Sequence, residues 1–586
     1  MKLQKLTEKR WFWPAICAVS VVFGWWYLSI TTCAPLGGDD ELINLQNYYY
    51  ITHTSFGQSV LDYLGDLWVQ FTLQNGRFRP FSSPPVRGLT SWFLGDLVGY
   101  RLYILAWTYA DIVLTAWLVG KASRSKKLGI ACLCLLPMMF SVWQDSTGNS
   151  LYSYGALVQS TLLPALAAGL AVLRWQDTGH KRWAVLAGYC AFQCCATFEI
   201  GFTYIVPIFG LAWLYTDKAR DALRLTVPVF LGECVTLAFN MGARLANTLR
   251  AAGILAGDVQ GIDGISPNFD IPALLRTWLM QMSAGFPLNA MLAGRVRPGS
   301  IHPADVLCGV MVAGAAVAAL AVLDTLPNKK QNLLLFLTGL AMLSAPALLI
   351  GLSPKYQQPG QVDWRHGYIP QTVESYGVGL MALAVLAALL RWARGKAWWP
   401  KRRAVLYALL AVCMAGSVVW QRAATRSAYE AGGRAYTVFG EGVAAGLADA
   451  AGTDTPVVTD FMIWGGHPVA ENAFFLRYHD QDADAHALQV WRTEDHANDE
   501  AVYRLGFTLG QDKHYDIAWC GLGYGANPDA LTDVTVCLPA GTAQYAVLYY
   551  TTADGEQKRT EVYAAKEATL LTLTGETILA DSIRLE

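Results

Sequence analysis

The sequence predicts an α-helical polytopic membrane domain of about eleven spans, followed by a soluble domain that is first α/β and then rich in β-strands. Hydrophobic residues make up 54% of the 586 residues and charged residues only 15%, whereas soluble proteins carry about 25% charge. The apolar residues fall in blocks of about 20, the length of helix that crosses a bilayer. No such block follows residue 420, so we place the membrane domain at residues 1–420 and the soluble domain at 421–586.

The first predicted span, residues 11–32, follows Lys2, Lys5, Lys9 and Arg10. Its run of about 22 apolar residues is too long for the core of a signal peptide, so we expect an uncleaved membrane anchor. The other spans are predicted at residues 100–120, 128–143, 151–173, 183–198, 201–215, 225–241, 304–323, 333–351, 373–390 and 405–420. The segments 183–198 and 201–215 could also form a single broken element.

The distribution of lysine and arginine predicts the orientation. Short loops that are dense in these residues face the cytoplasm, and such loops alternate along the chain at 121–127, 174–182, 218–224, 323–331 and 391–403. We therefore expect an integral plasma (inner) membrane protein whose N-terminus is cytoplasmic. The loops 33–99, 242–303 and 355–371, together with the soluble domain 421–586, are expected outside.

The first outward loop contains three consecutive acids, Asp39, Asp40 and Glu41, directly after two glycines. Ionised carboxylates are costly to bury in hydrocarbon, so these side chains are expected at the membrane surface. They form either a solvated loop that ends the first helix or an acid/base pair at the mouth of a membrane cavity. Their oxygens would also suit Mg²⁺ or Mn²⁺. Amphipathic helices are predicted along the interface at about 42–52 and 59–73.

Two further clusters in the outward regions are candidates for anion binding. Asn75, Arg77 and Arg79 follow the second interfacial helix, and a guanidinium group binds two oxygens of a phosphate or carboxylate at once. The arginines could instead bind anionic lipid headgroups or pair with nearby acids. Glu199 lies between two apolar segments, where a carboxylate is often functional. It could also only cap a helix or pair with an arginine.

The loop 353–371 combines cations with aromatic rings: Lys355, Tyr356, Arg365 and His366 are its candidate binding residues. Aromatic faces pack on sugar rings and cations hold phosphate. The same composition also describes an interfacial aromatic belt with cations that reach to the headgroups.

Several classes of protein are excluded by missing motifs. The sequence contains no P-loop, G-x-S-x-G or H-E-x-x-H motif, and no basic arm, zinc spacing or helix-turn-helix signal that would indicate nucleic acid as a partner. The soluble domain 421–586 is acidic, with 24 Asp and Glu against 11 Lys and Arg. Cys520 and Cys537 could form a disulfide there if the domain lies outside the cytosol.

The soluble domain shows strand patterns rather than apolar blocks. A buried strand is predicted at 455–460, and further short strands at 545–551, 560–563, 569–573 and 578–583. The segment Ala553-Asp554-Gly555-Glu556 is a hairpin turn signal between two of them. A small sandwich would account for this pattern.

The order of these features resembles the GT-C class of membrane glycosyltransferases, in particular bacterial enzymes of the GtrII-like and oligosaccharyltransferase-like kind. The resemblance rests on a first span, an outward loop with paired acids and interfacial helices, many spans and an outward soluble domain, and it covers residues 1–420. It implies that Asp39 or Asp40 acts as catalytic base or orients the acceptor. It also implies a polyprenyl-phosphate-sugar donor, whose phosphate would be bound by cations of later outward loops, Lys355 and Arg365.

The function that the resemblance implies is transfer of a sugar from the lipid-linked donor to a glycan, lipid or protein acceptor on the outer face, by an inverting displacement. Membrane lipids are further expected partners, and nucleic acid is not. A transporter or flippase of lipid-linked saccharide is an alternative, although the sequence shows no repeated halves and few charges inside the spans. A non-enzymatic envelope protein that binds glycan is another.

Overall fold

The computed structural model describes residues 9–34, 54–82, 97–142, 150–259, 267–293, 296, 300–321, 323, 328–364, 367–447, 455–459, 490–492, 501–510, 515–524, 529–540, 546–563 and 567–586. The described residues form two compact units: the first takes those up to Thr32 and from Thr54 to Ala428, and the second takes Cys33, Ala34 and those from Tyr429 onward. The first is helical and the second is rich in β-strands, so the predicted fold class is confirmed.

The helices are α1 (Phe12–Leu28), α2 (Phe56–Phe71), α3 (Leu97–Ala122), α4 (Lys126–Leu135), α5 (Leu157–Thr178), α6 (Lys181–Thr197), α7 (Ile205–Thr216), α8 (Ala219–Ala251), α9 (Ile271–Ala284), α10 (Pro287–Ala293), α11 (Pro303–Ala321), α12 (Lys329–Leu352), α13 (Pro354–Gln357), α14 (Gln371–Arg394) and α15 (Trp399–Ala444). Within the described residues, 9 helical segments are long and apolar enough to cross a membrane. The chain is therefore an integral membrane protein.

Two of the eleven predicted spans, at 128–143 and 183–198, are not among these 9 segments. The segment predicted at 128–143 contains α4, of 10 residues, and a 3-10 turn of 4 residues that begins at Leu136. Pro137 follows at once, and proline cannot continue the hydrogen-bonding of an α-helix. The segment predicted at 183–198 is α6, of 17 residues.

Three boundaries differ from the sequence prediction. Helix α8 continues ten residues past the predicted end at 241, and α9 and α10 occupy part of the predicted loop 242–303. Asp270 begins α9 as its N-cap, with its carboxylate accepting from the N–H of Ala273 at 3.4 Å, which is the usual way to satisfy the first turn. The last helix, α15, runs past residue 420 because the alanine-rich sequence that follows still favours a helix. The helix predicted at 59–73 is observed as α2, and its position along the interface stays a prediction, whereas the helix predicted at 42–52 lies outside the described residues.

The second unit contains two sheets. Its strands are β1 (Val457–Thr459), β2 (Val490–Arg492), β3 (Ala501–Thr508), β4 (Ile517–Tyr524), β5 (Ala530–Leu538), β6 (Ala546–Thr551), β7 (Gln557–Val562), β8 (Thr569–Leu573), β9 (Ile578–Leu579) and β10 (Arg584–Leu585). The larger sheet has the order β2-β1-β3-β4-β5-β8 with β9 also on β5, and the smaller has the order β10-β6-β7. Strand β1 pairs in parallel with β2 and β3, and the other pairs are antiparallel.

One apolar core is shared by the two sheets, as in a sandwich. Trp519 and Val534 of the larger sheet and Leu548 of the smaller are buried in it. The hairpin between β6 and β7 is confirmed, and Gly555 at its turn has a φ of 90°, which glycine adopts without strain. The prediction for 578–583 is wrong in its second half, where the chain forms a 3-10 turn.

The two cysteines of the soluble domain are free thiols in the structure. Cys520 lies opposite Thr535 and Cys537 lies opposite Ala518, so the thiols are diagonal neighbours on adjacent strands and do not face each other. Burial raises the pKa of Cys520 to about 12 and that of Cys537 to about 11. Both thiols are therefore unreactive in the folded domain.

Candidate functional site

The residues predicted from the sequence fall into three groups. Asp39, Asp40, Glu41, Arg365 and His366 lie outside the described residues. The structure brings Arg77, Arg79 and Glu199 together, with Asn75 in the turn that precedes the arginines. Lys355 and Tyr356 belong to a third group around Tyr368.

Two arginines converge on Glu199, and we call Arg77, Arg79 and Glu199 the Glu199 cluster. Arg77 donates to the carboxylate oxygen Oε1 from Nε at 2.9 Å and from Nη2 at 2.5 Å. Nη1 of Arg79 lies 3.8 Å from the other oxygen, Oε2. Two guanidinium groups on one carboxylate give these three side chains a net charge of +1. Of the alternatives that the sequence left open for Glu199, the structure thus shows an ion pair with an arginine.

The arginines are held in place through the residue between them. Phe78 is fully buried and stacks on Phe239 of α8 with ring centroids 4.4 Å apart. Its backbone N–H donates to Oδ1 of Asn240 at 3.1 Å. The N–H of Arg79 donates to Oε1 of Gln70 at 3.0 Å. The backbone of this loop is therefore fixed, whereas the side chains of Arg77 and Arg79 remain 27% and 29% exposed.

Glu199 owes its position to a break between α6 and α7. Helix α6 ends at Thr197, Phe198 is extended with a φ of −155° and a ψ of 143°, and Glu199 begins a 3-10 turn of 5 residues. Gly201 is required there, because a Cβ on it would lie 2.9 Å from the backbone carbon of Cys194. The broken element that the sequence suggested is thus observed, with a carboxylate at the break.

A second cluster, which the sequence analysis missed, consists of Asp305, Arg422 and Arg426; we call it the Asp305 cluster. Asp305 begins α11 and is fully buried. Nε of Arg422 donates to its Oδ1 at 2.6 Å, and Arg426 donates to both oxygens at 2.5 and 2.9 Å. Arg422 also donates to the backbone oxygen of Tyr27 at 2.9 Å. The cluster therefore links the end of α1 to α11 and α15 by hydrogen bonds. The acids at 39–41 follow α1 in the sequence.

The group around Tyr368 is held by a buried amide. The rings of Tyr356 and Tyr368 lie 4.5 Å apart, and Nζ of Lys355 lies 5.8 Å from the Tyr356 ring. The N–H of Tyr368 donates to Oε1 of Gln281 at 2.8 Å, and Nε2 of Gln281 donates to both oxygens of the buried Glu374 at 3.0 and 3.1 Å. This network orders the beginning of α14 and the aromatic pair beside it.

A polar cavity of about 490 Å³ lies next to this group and is lined by Asn268, Asp270, Arg276, Gln357 and Gln358 among others. Nη2 of Arg276 donates to the backbone oxygen of Gln357 at 2.7 Å. Amide, carboxylate and guanidinium groups are the side chains that bind sugar hydroxyl groups by hydrogen bonds.

In the part of the chain that the structure describes, no group of three or more His, Cys, Asp or Glu side chains is placed to hold a metal ion. The acids at 39–41, which the sequence offered for Mg²⁺ or Mn²⁺, are not in that part.

Comparison with known proteins gives structural likenesses only. No family model matches the chain, and no relative among curated proteins matches it. ArnT from Cupriavidus metallidurans, solved bound to undecaprenyl phosphate, is similar with a TM-score of 0.38 and 13% identity, over 85% of this chain and 93% of that chain. The arabinosyltransferase EmbB from Mycobacterium smegmatis is similar with a TM-score of 0.31 and 14% identity, over 97% of this chain and 63% of that one. Similarities of this size assign no residue and no substrate.

Proposed function

We propose that the chain is a GT-C-like glycosyltransferase that transfers a sugar from a polyprenyl-phosphate-linked donor to an acceptor at the outer face of the membrane. The observation that supports this most is the Glu199 cluster: two arginines on one carboxylate, on a fixed loop at the end of an apolar helix. Its net positive charge and exposed guanidinium edges suit the phosphate of a lipid.

The reaction would be a displacement at the anomeric carbon. The hydroxyl oxygen of the acceptor forms a bond to that carbon, the bond to the phosphate oxygen breaks, and the phosphate leaves with the electron pair. Arginines near the phosphate stabilise the charge that develops on it. The hydroxyl proton passes to a carboxylate, a step that accelerates such reactions about 10²–10⁴-fold. Asp39 or Asp40 would be that base, as the resemblance implies.

The remaining predicted residues would bind the sugars. Tyr356 offers a ring face and Lys355 a cation beside the polar cavity around Arg276. Glu41, Asn75, Arg365 and His366 complete the set that we assign to substrate binding. A divalent ion, Mg²⁺ or Mn²⁺, on the acids at 39–41 would share the phosphate charge with the arginines. The outward orientation of these residues rests on the lysine and arginine counts of the loops.

One observation favours a second function. Asp111 in α3 is fully buried, and within the described residues neither of its carboxylate oxygens has a hydrogen-bond partner. Glu233 and Glu374 are buried in other spans. The spans therefore hold more carboxylates than the sequence analysis weighed, and such groups mark ion or proton paths in transporters. Translocation of a lipid-linked saccharide is the alternative.

The two functions differ in covalent chemistry. Purified protein in phospholipid vesicles would receive a polyprenyl phosphate carrying a labelled sugar, with an extract of envelope glycans and lipids as acceptor. A transferase moves label to the acceptor or releases it to water and leaves polyprenyl phosphate. A transporter moves the intact lipid across the bilayer. If the protein binds the lipid-linked sugar but neither transfers the label nor moves the lipid across the bilayer, the remaining alternative is a non-enzymatic glycan-binding protein.

A further inference from the structure

A cavity of about 380 Å³ is formed by residues of α3, α5 and α6. Its lining combines aliphatic side chains of α5 and α6 with two tryptophans and two cations, Trp117, Trp183, Lys121 and Arg174. Helix α3 ends at Ala122, α5 ends at Thr178, and α6 begins at Lys181. The cavity therefore lies where two helices end and a third begins, at one surface of the helical unit.

The chemistry of the lining changes in the same direction on all three helices. On α3, Lys121 lies one turn beyond Trp117, and on α5, Arg174 lies one turn beyond Leu170. Residues four apart lie on the same face of a helix. Helix α6 returns after a two-residue connection, with Trp183 in its first turn. Tryptophan is enriched where the bilayer meets water, so the cavity passes from aliphatic side chains to aromatic rings and then to cations, as a phospholipid passes from chain to headgroup.

The cationic end of the cavity has an excess of positive charge. Nζ of Lys121 lies 3.6 Å from Oδ2 of Asp177. Among the described residues, no carboxylate forms an ion pair with Arg174. The guanidinium group of Arg182 lies 5.5 Å from the centre of the Trp183 ring, at the same end of α6. These three cations and one carboxylate have a net charge of +2.

This cavity is separate from the Glu199 cluster. Trp183 lies in the first turn of α6, whereas Glu199 follows Thr197, the last residue of the same helix. The two sites therefore lie at opposite ends of α6. The lysine and arginine counts of the loops predict that the end with the cavity faces the cytoplasm.

We propose that this cavity binds an anionic phospholipid of the cytoplasmic leaflet, with its phosphate on Arg174 and Lys121 and an acyl chain along the aliphatic side chains of α5 and α6. A guanidinium group binds two phosphate oxygens at once. Basic pockets between spans on the cytoplasmic side bind anionic headgroups, whereas a zwitterionic headgroup would leave the net charge of +2 uncompensated. The bound lipid would link the ends of three helices. This proposal does not depend on the proposed function.

Photo-cross-linking of the full-length protein tests the cavity. Trp117→p-benzoylphenylalanine places a photoreactive ketone in the lining, where the native residue is 57% exposed. Trp392→p-benzoylphenylalanine is the matched control: Trp392 is 58% exposed, Nζ of Lys396 lies 5.2 Å from its ring, and it is not part of this lining. Each protein is placed in nanodiscs of phosphatidylcholine and phosphatidylglycerol, and the adducts are identified by mass spectrometry.

We expect the ratio of phosphatidylglycerol to phosphatidylcholine adducts to be about fivefold higher at position 117 than at position 392. Fivefold corresponds to about 1 kcal/mol, the contribution of one lysine or arginine near an anionic bilayer surface. Arg174→Gln should abolish the enrichment, and Arg174→Lys should retain part of it, because lysine keeps the charge. Arg403→Gln, which removes a charge from another predicted cytoplasmic loop, should leave it unchanged. Equal ratios at the two positions, or a cross-link from position 117 to another segment of protein in place of lipid, would overturn the proposal.

The midpoint of thermal unfolding gives a second readout. A ligand that binds only the folded protein stabilises it, so the midpoint should be higher in nanodiscs that contain phosphatidylglycerol than in phosphatidylcholine alone. Arg174→Gln should lose most of this difference, and Arg403→Gln should keep it. If Arg174→Gln gained as much stability from phosphatidylglycerol as the unsubstituted protein, the lipid would act on the surface as a whole and the cavity would not be its site.

Discussion

The Glu199 cluster and the Asp305 cluster have the same composition, two arginines and one carboxylate, and differ in burial. The Asp305 carboxylate is fully buried and its arginines are 6% and 12% exposed. The Glu199 carboxylate and its arginines are between 27% and 29% exposed. Arg422 and Arg426 donate three hydrogen bonds to Asp305 and three to backbone oxygens, all at 2.5–2.9 Å. Arg77 donates two hydrogen bonds to Glu199, and Nη1 of Arg79 lies 3.8 Å from its Oε2. The Asp305 cluster is thus closed to solvent, whereas the side chains of the Glu199 cluster remain partly accessible, as the proposed binding of a phosphate requires.

The largest effect is expected from Asp305→Asn. It leaves two largely buried guanidinium groups without a counter-charge, and removal of one partner from a buried ion pair costs about 3–5 kcal/mol. The midpoint of thermal unfolding of the detergent-purified protein should fall clearly. Asp270→Asn is the matched control, because asparagine also caps helices and Asp270 is exposed. An unchanged midpoint for Asp305→Asn would show that the burial difference has no energetic meaning.

The next effect is expected on turnover, from Asp39→Asn and Asp40→Asn. If the Glu199 cluster holds the phosphate, the base must lie elsewhere, and loss of a general base should lower the rate of sugar transfer by about 10²-fold or more. Binding of the donor should persist in both variants. If the double variant Asp39→Asn/Asp40→Asn kept full activity, these two acids would only be part of a solvated loop and neither would be the base.

Arg77→Gln and Arg79→Gln should each weaken donor binding by about 1.5–3 kcal/mol, the contribution of a hydrogen bond to a charged group. The measurement is the donor concentration at half-maximal transfer, with unfolding midpoints recorded alongside. Arg426→Gln should show the opposite pattern, with lower stability and unchanged binding by the folded fraction. Arg77→Lys separates charge from shape, because lysine keeps the charge and lacks the two-pronged fork. If Arg79→Gln and Arg426→Gln changed donor binding and the unfolding midpoint in the same way, the two clusters would not differ in function.

The smallest functional effect is expected from cysteines that report orientation. In a variant with Cys33→Ser and Cys413→Ser, which removes the exposed native thiols, Lys126→Cys and Glu556→Cys should leave activity unchanged. A membrane-impermeant maleimide applied to intact cells should label position 556 and not position 126. Equal labelling would contradict the orientation in which the Glu199 cluster faces outward.

Hydropathy sufficed to predict nine of the eleven spans and the helix α2, and to suggest the break at Glu199, because each depends on a local pattern of residues. The ion pair of Glu199 with Arg77 was one of several alternatives, since its partners are 122 residues apart. The Asp305 cluster was missed for the same reason: 117 residues separate Asp305 from Arg422. In the sequence this cluster shows only as Arg422 and Arg426, four residues apart after the last predicted span, and such a pair resembles an ordinary interfacial flank of a span.

Strand prediction shows the same limit. Strand β8, Thr569 to Leu573, was predicted with its observed bounds, and Gly575, which has a φ of 80°, follows it closely. Strand β3 was not predicted, although it has 8 residues. Its half-buried pattern mixes Tyr503, Arg504 and Gly506, and its place in the sheet depends on pairing with β1 and β4 rather than on its own alternation.

The brevity of α6 has a consequence for the lipid around it. At about 1.5 Å per residue its 17 residues span about 26 Å, whereas the hydrocarbon layer of a bilayer is about 30 Å thick. A bilayer meets such hydrophobic mismatch by thinning locally, at fractions of a kcal/mol per Å. Lipid headgroups next to this helix would then sink toward Glu199, so that a phosphate could reach Arg77 and Arg79 without its chain leaving the hydrocarbon.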